Sequence, residues 1–186
     1  SINQTVECIV FDGIQKLEPK YQPSKSLLLN WAVRVEKHAQ RNERMNEIII
    51  KLHSVFLGHH VNSILLKGQG LAMCYDNPSR RVCGDIDLFF EDKTSYTKAF
   101  NIINEKGLEI NSMPGFSSEY NFEGFEVEHH QNMFDIHNPF VQKTLEKIRL
   151  DEVNNFTTLN IENTKIKLPS ALETIIQANS HILEHL

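Results

Sequence analysis

Apolar residues between Ser26 and Phe56 recur at steps of three, four or their sums. This period lays side chains along one face of a helix. The spacing predicts one long helix or two consecutive helices, with the polar stretch 40–44 either as a solvated middle or as a break. Upstream, the apolar run 6–11 is followed by Asp-Gly and by two prolines, which oppose a continuous helix, so no single element is assigned before residue 22.

The later helices are marked by residues at their ends. Gly107 closes the helix predicted over 94–105, at a position that favours a left-handed cap. Pro139 opens another helix, because the N–H that proline lacks is not needed in the first turn. Ser170, with Glu173 three residues later, predicts a capping box at the start of the final helix.

Short apolar runs and alternating patterns predict the strands. The first run ends in Lys67-Gly68-Gln69-Gly70, which predicts a glycine turn that leads into a short helix. Two pairs of runs are separated by tight-turn sequences, Glu123-Gly124 in one and 162–164 in the other, and these predict hairpins. The predicted strands span residues 63–66, 85–90, 119–122, 125–130, 156–161 and 165–168.

Together these elements predict an α+β fold, in which a small mixed β-sheet carries flanking helices and a helical N-terminal extension. We assign the extension to residues 1–60 and the main domain to residues 61–186. The helical pattern still continues at the last residue, so we expect the native chain to extend beyond Leu186.

Composition excludes several classes of protein. With 40% hydrophobic and 23% charged residues, the 186-residue chain is typical of a globular domain. The formal net charge of -5 argues against a broad nucleic-acid surface, which needs a basic excess. No apolar run approaches the roughly 20 residues that span a bilayer, and no signal peptide is evident. Three cysteines without a CxxC pair fit reduced thiols, so we expect a cytoplasmic protein without membrane contact.

The segment Gly84-Asp85-Ile86-Asp87-Leu88 carries the first candidate chemistry. In a strand, successive side chains point to opposite faces, so Asp85 and Asp87 project together. Two adjacent carboxylates repel each other unless a cation neutralises them, and Mg²⁺ takes one or two carboxylates plus phosphate oxygens. The alternative is a pair of solvated acids on an exposed strand face.

Upstream of these acids, the Lys67-Gly68-Gln69-Gly70 segment suits a phosphate group. Glycine allows the backbone to approach a ligand closely, and Lys67 adds a positive charge. An ordinary strand-to-helix loop is the alternative. Arg80 and Arg81 precede the acidic pair, where one guanidinium either clamps a phosphate or pairs with Asp85.

Downstream, the strand after Gly124 carries more acids. Glu126, Glu128 and His130 share one face of a regular strand. A third carboxylate that faces Asp85 and Asp87 from a neighbouring strand would complete a site for two metal ions, which activates an attacking hydroxyl and stabilises the leaving phosphate.

These features form part of a longer pattern. It comprises residues 41–62, Ile64-Leu65-Leu66-Lys67-Gly68, Leu71-Ala72, Tyr75, Arg81, Asp85-Ile86-Asp87-Leu88 and Val127-Glu128-His129-His130. On these positions the chain resembles the uncharacterised nucleotidyltransferases of the DNA polymerase β-like superfamily, well over residues 41–131 and loosely over the final helix. The resemblance implies a minimal nucleotidyltransferase fold.

The resemblance also implies a reaction. Such enzymes move a nucleoside monophosphate from a nucleoside triphosphate such as ATP to an acceptor hydroxyl and release pyrophosphate, with Mg²⁺ or Mn²⁺. The acceptor is a small molecule, a protein or an RNA end. A superfamily member can lose catalysis and keep its fold, so a silent nucleotide-binding or interaction module is the alternative.

Residue roles follow from the same resemblance. Asp85, Asp87 and Glu128 are the expected catalytic acids and metal ligands, although Glu126 and Asp135 lie in the same region as Glu128. Four further residues complete the expected site: Lys67, Gly68 and Arg81 at the phosphates, and His130 as an accessory residue. Better-known members have Gly-Ser where this chain has Lys67-Gly68, so here Lys67 or backbone amides must replace a serine contact to phosphate.

A zinc-protease interpretation competes at the C-terminus. His181, Glu184 and His185 match the HxxEH spacing of inverted zinc proteases, with both histidines one turn apart on a helix. A catalytic zinc also needs a third protein ligand, which those enzymes take from well downstream, whereas this sequence ends at Leu186. We therefore interpret these residues as polar positions on an amphipathic helix.

Overall fold

Six helices and seven strands build the described part of the chain, residues 6–113, 117–134, 136 and 138–184 of a computed structural model. The helices are α1 (Glu7–Gln15), α2 (Lys25–Gly58), α3 (Lys67–Ala72), α4 (Lys93–Glu105), α5 (Pro139–Glu152) and α6 (Ala171–Glu184). The strands are β1 (Ile64–Leu65), β2 (Ile86–Phe89), β3 (Ile110–Met113), β4 (Ser117–Phe122), β5 (Phe125–His130), β6 (Thr157–Ile161) and β7 (Thr164–Leu168). Short 3₁₀ turns lie at Pro19–Tyr21 and Pro78–Arg80.

The main sheet is mixed, as predicted. Its five strands lie in the order β1-β2-β5-β4-β3, and only β2 and β5 pair in parallel. The strands β6 and β7 form a separate hairpin. The sequence pattern missed β3, because this edge strand carries exposed Asn111 and Ser112 and therefore shows no apolar alternation.

The helix α2 is continuous over 34 residues, so the polar stretch 40–44 lies inside one helix and does not divide it into two. No glycine or proline interrupts it before Gly58, and Ser24 Oγ accepts a hydrogen bond from Leu27 N at its start. Its second half enters the core through side chains that are at most 1% exposed: Met45, Ile48, Ile49, Leu52 and Phe56. Its first half packs against α1, a helix in the segment before residue 22 to which the sequence assigned no single element.

Two hydrophobic clusters cover the two faces of the main sheet. On one face, Ile86 and Leu88 of β2 pack with the second half of α2 and with α4. On the other face, Phe89 packs with Leu145 of α5 and with residues around Met133. Because side chains alternate along β2, Asp87 lies on the same face as Phe89. This second face is therefore apolar at one end and acidic in the middle.

Local sequence signals account for the turns and caps. Glu123 and Gly124 both have positive φ, 50° and 90°, and form the predicted tight turn between β4 and β5. The capping box is confirmed as well, since Ser170 N donates to Glu173 Oε2 at 2.8 Å and Glu173 N donates to Ser170 Oγ at 3.2 Å. In contrast, the predicted glycine turn 67–70 lies inside α3, with a non-helical residue at Gly68.

The boundary predicted at residue 60 stays a prediction. Within the described part of the chain, no helix is both long and apolar enough to cross a membrane. All three cysteines are free thiols, with Cys8 and Cys83 buried and Cys74 exposed.

The start of α4 provides a test of local stability. Asp92 caps the helix, accepting hydrogen bonds from Ser95 N at 2.9 Å and from Ser95 Oγ at 2.7 Å. We expect Asp92→Ala to lower the free energy of unfolding by about 1 kcal/mol at pH 7, and Asp92→Asn, the matched control, to lose only a few tenths. Urea denaturation measures both.

The same cap predicts a pH dependence. The hydrogen bonds from Ser95 lower the pKa of the Asp92 carboxyl. Because the pKa is lower in the folded state, the stabilisation is present above the unfolded value of about 3.9 and is lost as the pH falls through the folded value. The difference between wild type and Asp92→Ala should therefore shrink in acid. An unchanged difference at low pH would show that the charge of Asp92 does not contribute.

Candidate active site

Asp87 and Glu128 lie directly opposite each other at the centre of the main sheet. The parallel register of β2 and β5 pairs Asp87 with Glu128, and neighbouring strands lie only about 4.8 Å apart. Asp87 is 2% exposed and Glu128 is half-buried. Two carboxylates from segments far apart in sequence therefore share one small region of the sheet face.

The side chain of His130 lies between these two carboxylates. Its Nε2 atom is 2.9 Å from Asp87 Oδ1 and 3.3 Å from Glu128 Oε2. The ligand atoms of Asp87, Glu128 and His130 all lie within 4.8 Å of one another. His130 is 5% exposed, so this group is partly shielded from water.

Lys67 supplies a positive charge beside the same group. Its Nζ atom lies 3.5 Å from Asp87 Oδ1. The backbone just before Lys67 is held against β2, because Leu66 N donates to the carbonyl oxygen of Asp87 at 2.9 Å. Gly68 has a φ of 40°, and a Cβ there would lie 3.5 Å from the carbonyl oxygen of Asp85. A glycine therefore suits this position, which requires the left-handed region and lies close to the backbone of Asp85.

Asp85 immediately precedes β2 and has a different environment from Asp87. Burial raises the pKa of Asp85, and repulsion from Asp87 and Glu128 raises it further. Burial also acts to raise the pKa of Asp87, but the hydrogen bond from His130 and the charge of Lys67 outweigh it and hold this pKa below its usual value. Asp87 is thus held as a carboxylate, whereas Asp85 gains most from an added cation.

The donor set at this position fits a divalent metal ion. Carboxylate oxygens suit hard cations such as Mg²⁺ and Mn²⁺, and an imidazole nitrogen is a common ligand for transition metals. A second group of acidic side chains, Glu119, Glu126 and Glu128, also has ligand atoms within 4.8 Å of one another, but Glu126 is exposed to solvent. Asp85 belongs to neither group.

The two arginines before Asp85 contact other residues than Asp85. Arg80 Nε donates to Asp12 Oδ2 of α1 at 3.0 Å. Arg81 Nη1 lies 3.0 Å from Cys83 Sγ. Among the residues that the structure describes, neither guanidinium forms an ion pair with Asp85. The predicted phosphate contact of Arg81 stays a prediction.

A buried polar network behind the site was not found from the sequence. Asn42 Nδ2 donates to the carbonyl oxygens of Ser79 and Arg81, at 3.0 and 2.8 Å, and Asn42 Oδ1 accepts from Gln69 Nε2 at 3.2 Å. Arg41 Nη2 donates to the carbonyl oxygen of Gly84 at 2.9 Å. The helix α2 thereby holds both the glycine segment and the chain that leads into Asp85. In the sequence, Asn42 is a polar residue on the buried face of a long helix, and this feature could have indicated the network.

Several predicted residues lie outside the described parts of the chain. Asp135, an alternative third acid, is one of them. Of the HxxEH sequence, His185 is also outside, and the side chains of His181 and Glu184 are not described.

A cavity of about 550 Å³ opens along the same sheet face, beyond the carboxyl end of β2. Phe89, two residues after Asp87, lines it together with Met133 and Arg149. A volume of this size accommodates a small molecule. The acidic group therefore has an adjacent space in which a second molecule could lie.

Comparison with known proteins identifies the family. A model of the family described as uncharacterised nucleotidyltransferase matches residues 1–186, the whole chain. The protein belongs to this nucleotidyltransferase family. No curated protein shows significant sequence similarity to it.

Two solved structures are similar to this member of the family. One is a candidate nucleotidyltransferase from Thermotoga maritima, with 14% identity and a TM-score of 0.49 over 75% of this chain and 83% of the other. The second is an antigenic nucleotidyltransferase-like protein from Paracoccidioides brasiliensis, with 16% identity and a TM-score of 0.42 over 75% of this chain and 63% of the other. The family of the chain therefore rests on the family match and not on these two structures.

Proposed function

We propose that the protein is a divalent-cation-dependent enzyme that transfers a nucleoside monophosphate from a nucleoside triphosphate to an acceptor hydroxyl. The new bond joins the acceptor oxygen to the α-phosphorus, the bond from the α-phosphorus to the bridging oxygen breaks, and pyrophosphate leaves. The hydroxyl proton passes to solvent. The acceptor is a small molecule, a protein or an RNA end.

One observation carries this proposal, the opposition of Asp87 and Glu128 on parallel strands with Lys67 beside them. Two carboxylates at this separation repel each other, and removing them from water adds a further cost. A divalent cation bound by both carboxylates would offset both costs. The family membership of the chain supports the same interpretation.

Each residue then has a proposed part. Asp87 and Glu128 hold the cation, which, when bound, polarises the phosphoryl oxygens and lowers the pKa of an attacking hydroxyl. Asp85 is the proposed third carboxylate, because a cation would offset its repulsion from the other two acids. We assign the phosphates of the nucleotide to Lys67, the backbone of Gly68 and Arg81.

A catalytically silent nucleotide-binding module is the second candidate, and one observation favours it. Lys67 and His130 already compensate the charge of Asp87 without a cation. In a silent module the Lys67–Asp87 ion pair would serve the fold, and no transfer would occur.

An assay with nucleotides labelled at the α-phosphate separates the two candidates. The full chain is incubated with each labelled nucleoside triphosphate, with Mg²⁺ or Mn²⁺, and with small-molecule, protein and RNA acceptors. Transfer of label together with released pyrophosphate supports the enzyme. Nucleotide binding without transfer to any acceptor supports the silent module.

Glu128 and Glu126 form a matched pair for identifying the third acid. We expect Glu128→Gln to weaken Mn²⁺ binding at least about tenfold, because Glu128 faces Asp87 and its Oε2 lies 3.3 Å from His130. We expect Glu126→Gln to change this affinity less than twofold, because Glu126 is exposed and does not face Asp87 across the strand pair. Titration of free Mn²⁺ by electron paramagnetic resonance measures both.

The reverse order of effects would assign the third acid to Glu126. Equal, small effects of both substitutions would leave Asp135 as the remaining acid in this region, and Asp135→Asn would then be the next variant to measure.

A further inference from the structure

We infer that His130 is itself a ligand of the catalytic cation, and that this ligand makes the site selective for Mn²⁺ over Mg²⁺. The inference rests on the proposed function, since it concerns the same metal site. It adds a nitrogen to a ligand set that the sequence predicted to consist of carboxylates alone.

The position of Nε2 is the first observation. This atom approaches one oxygen from each of two strands, Asp87 Oδ1 at 2.9 Å and Glu128 Oε2 at 3.3 Å. A neutral imidazole offers one N–H at a given nitrogen, so it cannot make two good hydrogen bonds from that atom. Of these two contacts, the one with Asp87 has hydrogen-bond geometry and the one with Glu128 is an ion-pair contact if the imidazole is protonated. Nε2 therefore lies within reach of both acids at once.

Both separations would also suit three ligands of one cation. Ligand atoms about 2.1 Å from an octahedral cation lie about 3.0 Å apart when they occupy adjacent positions. The separations of 2.9 and 3.3 Å are close to this value. In the bound state the neutral imidazole carries its single proton on Nδ1, which leaves the lone pair of Nε2 for the cation.

The backbone fixes this arrangement. His130 lies two residues after Glu128 on the same face of β5, and the parallel register places it opposite Phe89, two residues after Asp87. The side chain is almost fully buried, so it has little freedom to turn away from the two acids. The imidazole is therefore held where a ligand is needed.

Ligand chemistry gives the selectivity. Mg²⁺ prefers oxygen ligands and keeps several waters, and it gains little from an imidazole. Divalent transition metals accept nitrogen more readily. A set of two carboxylates and one imidazole should consequently bind Mn²⁺ more tightly than Mg²⁺.

Pulsed electron paramagnetic resonance of the full chain loaded with Mn²⁺ tests the inference directly. We expect a ¹⁴N coupling to Mn²⁺ in the wild type, its loss in His130→Asn, and its retention in His59→Asn, which changes an exposed histidine. Circular dichroism checks that both variants are folded. Because the wild-type spectrum already decides whether nitrogen binds, the test does not depend on the stability of a variant.

Competition between the cations distinguishes a ligand from a residue that only orients Asp87. As a ligand, His130 contributes to Mn²⁺ affinity and little to Mg²⁺ affinity, so His130→Asn should lower the ratio of the two affinities at least about tenfold. An orienting residue would lower both affinities equally and leave the ratio unchanged, which would overturn the inference.

The remaining outcomes separate this inference from the proposed function. If Mn²⁺ binds without nitrogen coupling and Glu128→Gln abolishes this binding, the inferred role of His130 is wrong and the proposed metal site remains. Absence of any Mn²⁺ binding to the full chain would overturn both.

Discussion

Asp87→Asn is expected to lower the rate of nucleotidyl transfer by about a thousandfold or more, which corresponds to about 4 kcal/mol of transition-state stabilisation. The substitution keeps the size of the side chain and can still accept the hydrogen bond from His130. It removes a carboxylate that contacts both His130 and Lys67 and that faces Glu128 across the strand pair. Transfer of the α-phosphate label at saturating nucleotide and cation measures the change.

The matched control is Asp151→Asn, on the exposed surface of α5. We expect this variant to retain the wild-type rate, since it changes the net charge by the same amount away from the site. A rate within threefold of wild type for Asp87→Asn, in a protein that turns over, would remove Asp87 from the catalytic group.

The largest expected effect on stability comes from Phe56→Ala. The Phe56 side chain is fully buried, and its ring contacts Phe90 at 5.5 Å and His129 at 5.5 Å, both edge to face. We expect the free energy of unfolding to fall by about 3–5 kcal/mol, from lost burial and from the cavity left behind. Urea denaturation followed by circular dichroism measures it.

Leu57 provides the control in the adjacent position, because its side chain is 52% exposed. Leu57→Ala should change stability by no more than about 0.5 kcal/mol.

Much of the fold could be predicted because its signals are local. The spacing of apolar residues gave α2, and the end signals at Pro139 and Ser170 gave the last two helices. Prediction failed where the burial of a segment does not match its local sequence pattern. The edge strand β3 carries exposed Asn111 and Ser112 in its middle, so it shows no apolar alternation. The helix α1 forms despite Asp12-Gly13, because Cys8 and Phe11 are buried against α2.

The site was less predictable, because strand register is a long-range property. Alternation along each strand indicated which acids share a face, but only the pairing of β2 with β5 makes Glu128, and not Glu126, the partner of Asp87. The position of Arg81 and the network of Asn42 with Gln69 depend on how α2 crosses behind the site. No spacing in the sequence encodes that crossing.

The parallel pairing of β2 and β5 also bears on how the protein folds. Parallel strands need a long crossover, and here α4, β3 and β4 lie in the chain between Asp87 and Glu128. Closing such a loop costs entropy, so we expect the two acids to come together late on the folding pathway. A cation that needs both acids binds only the nearly complete fold, and it therefore slows unfolding without speeding the early steps of folding.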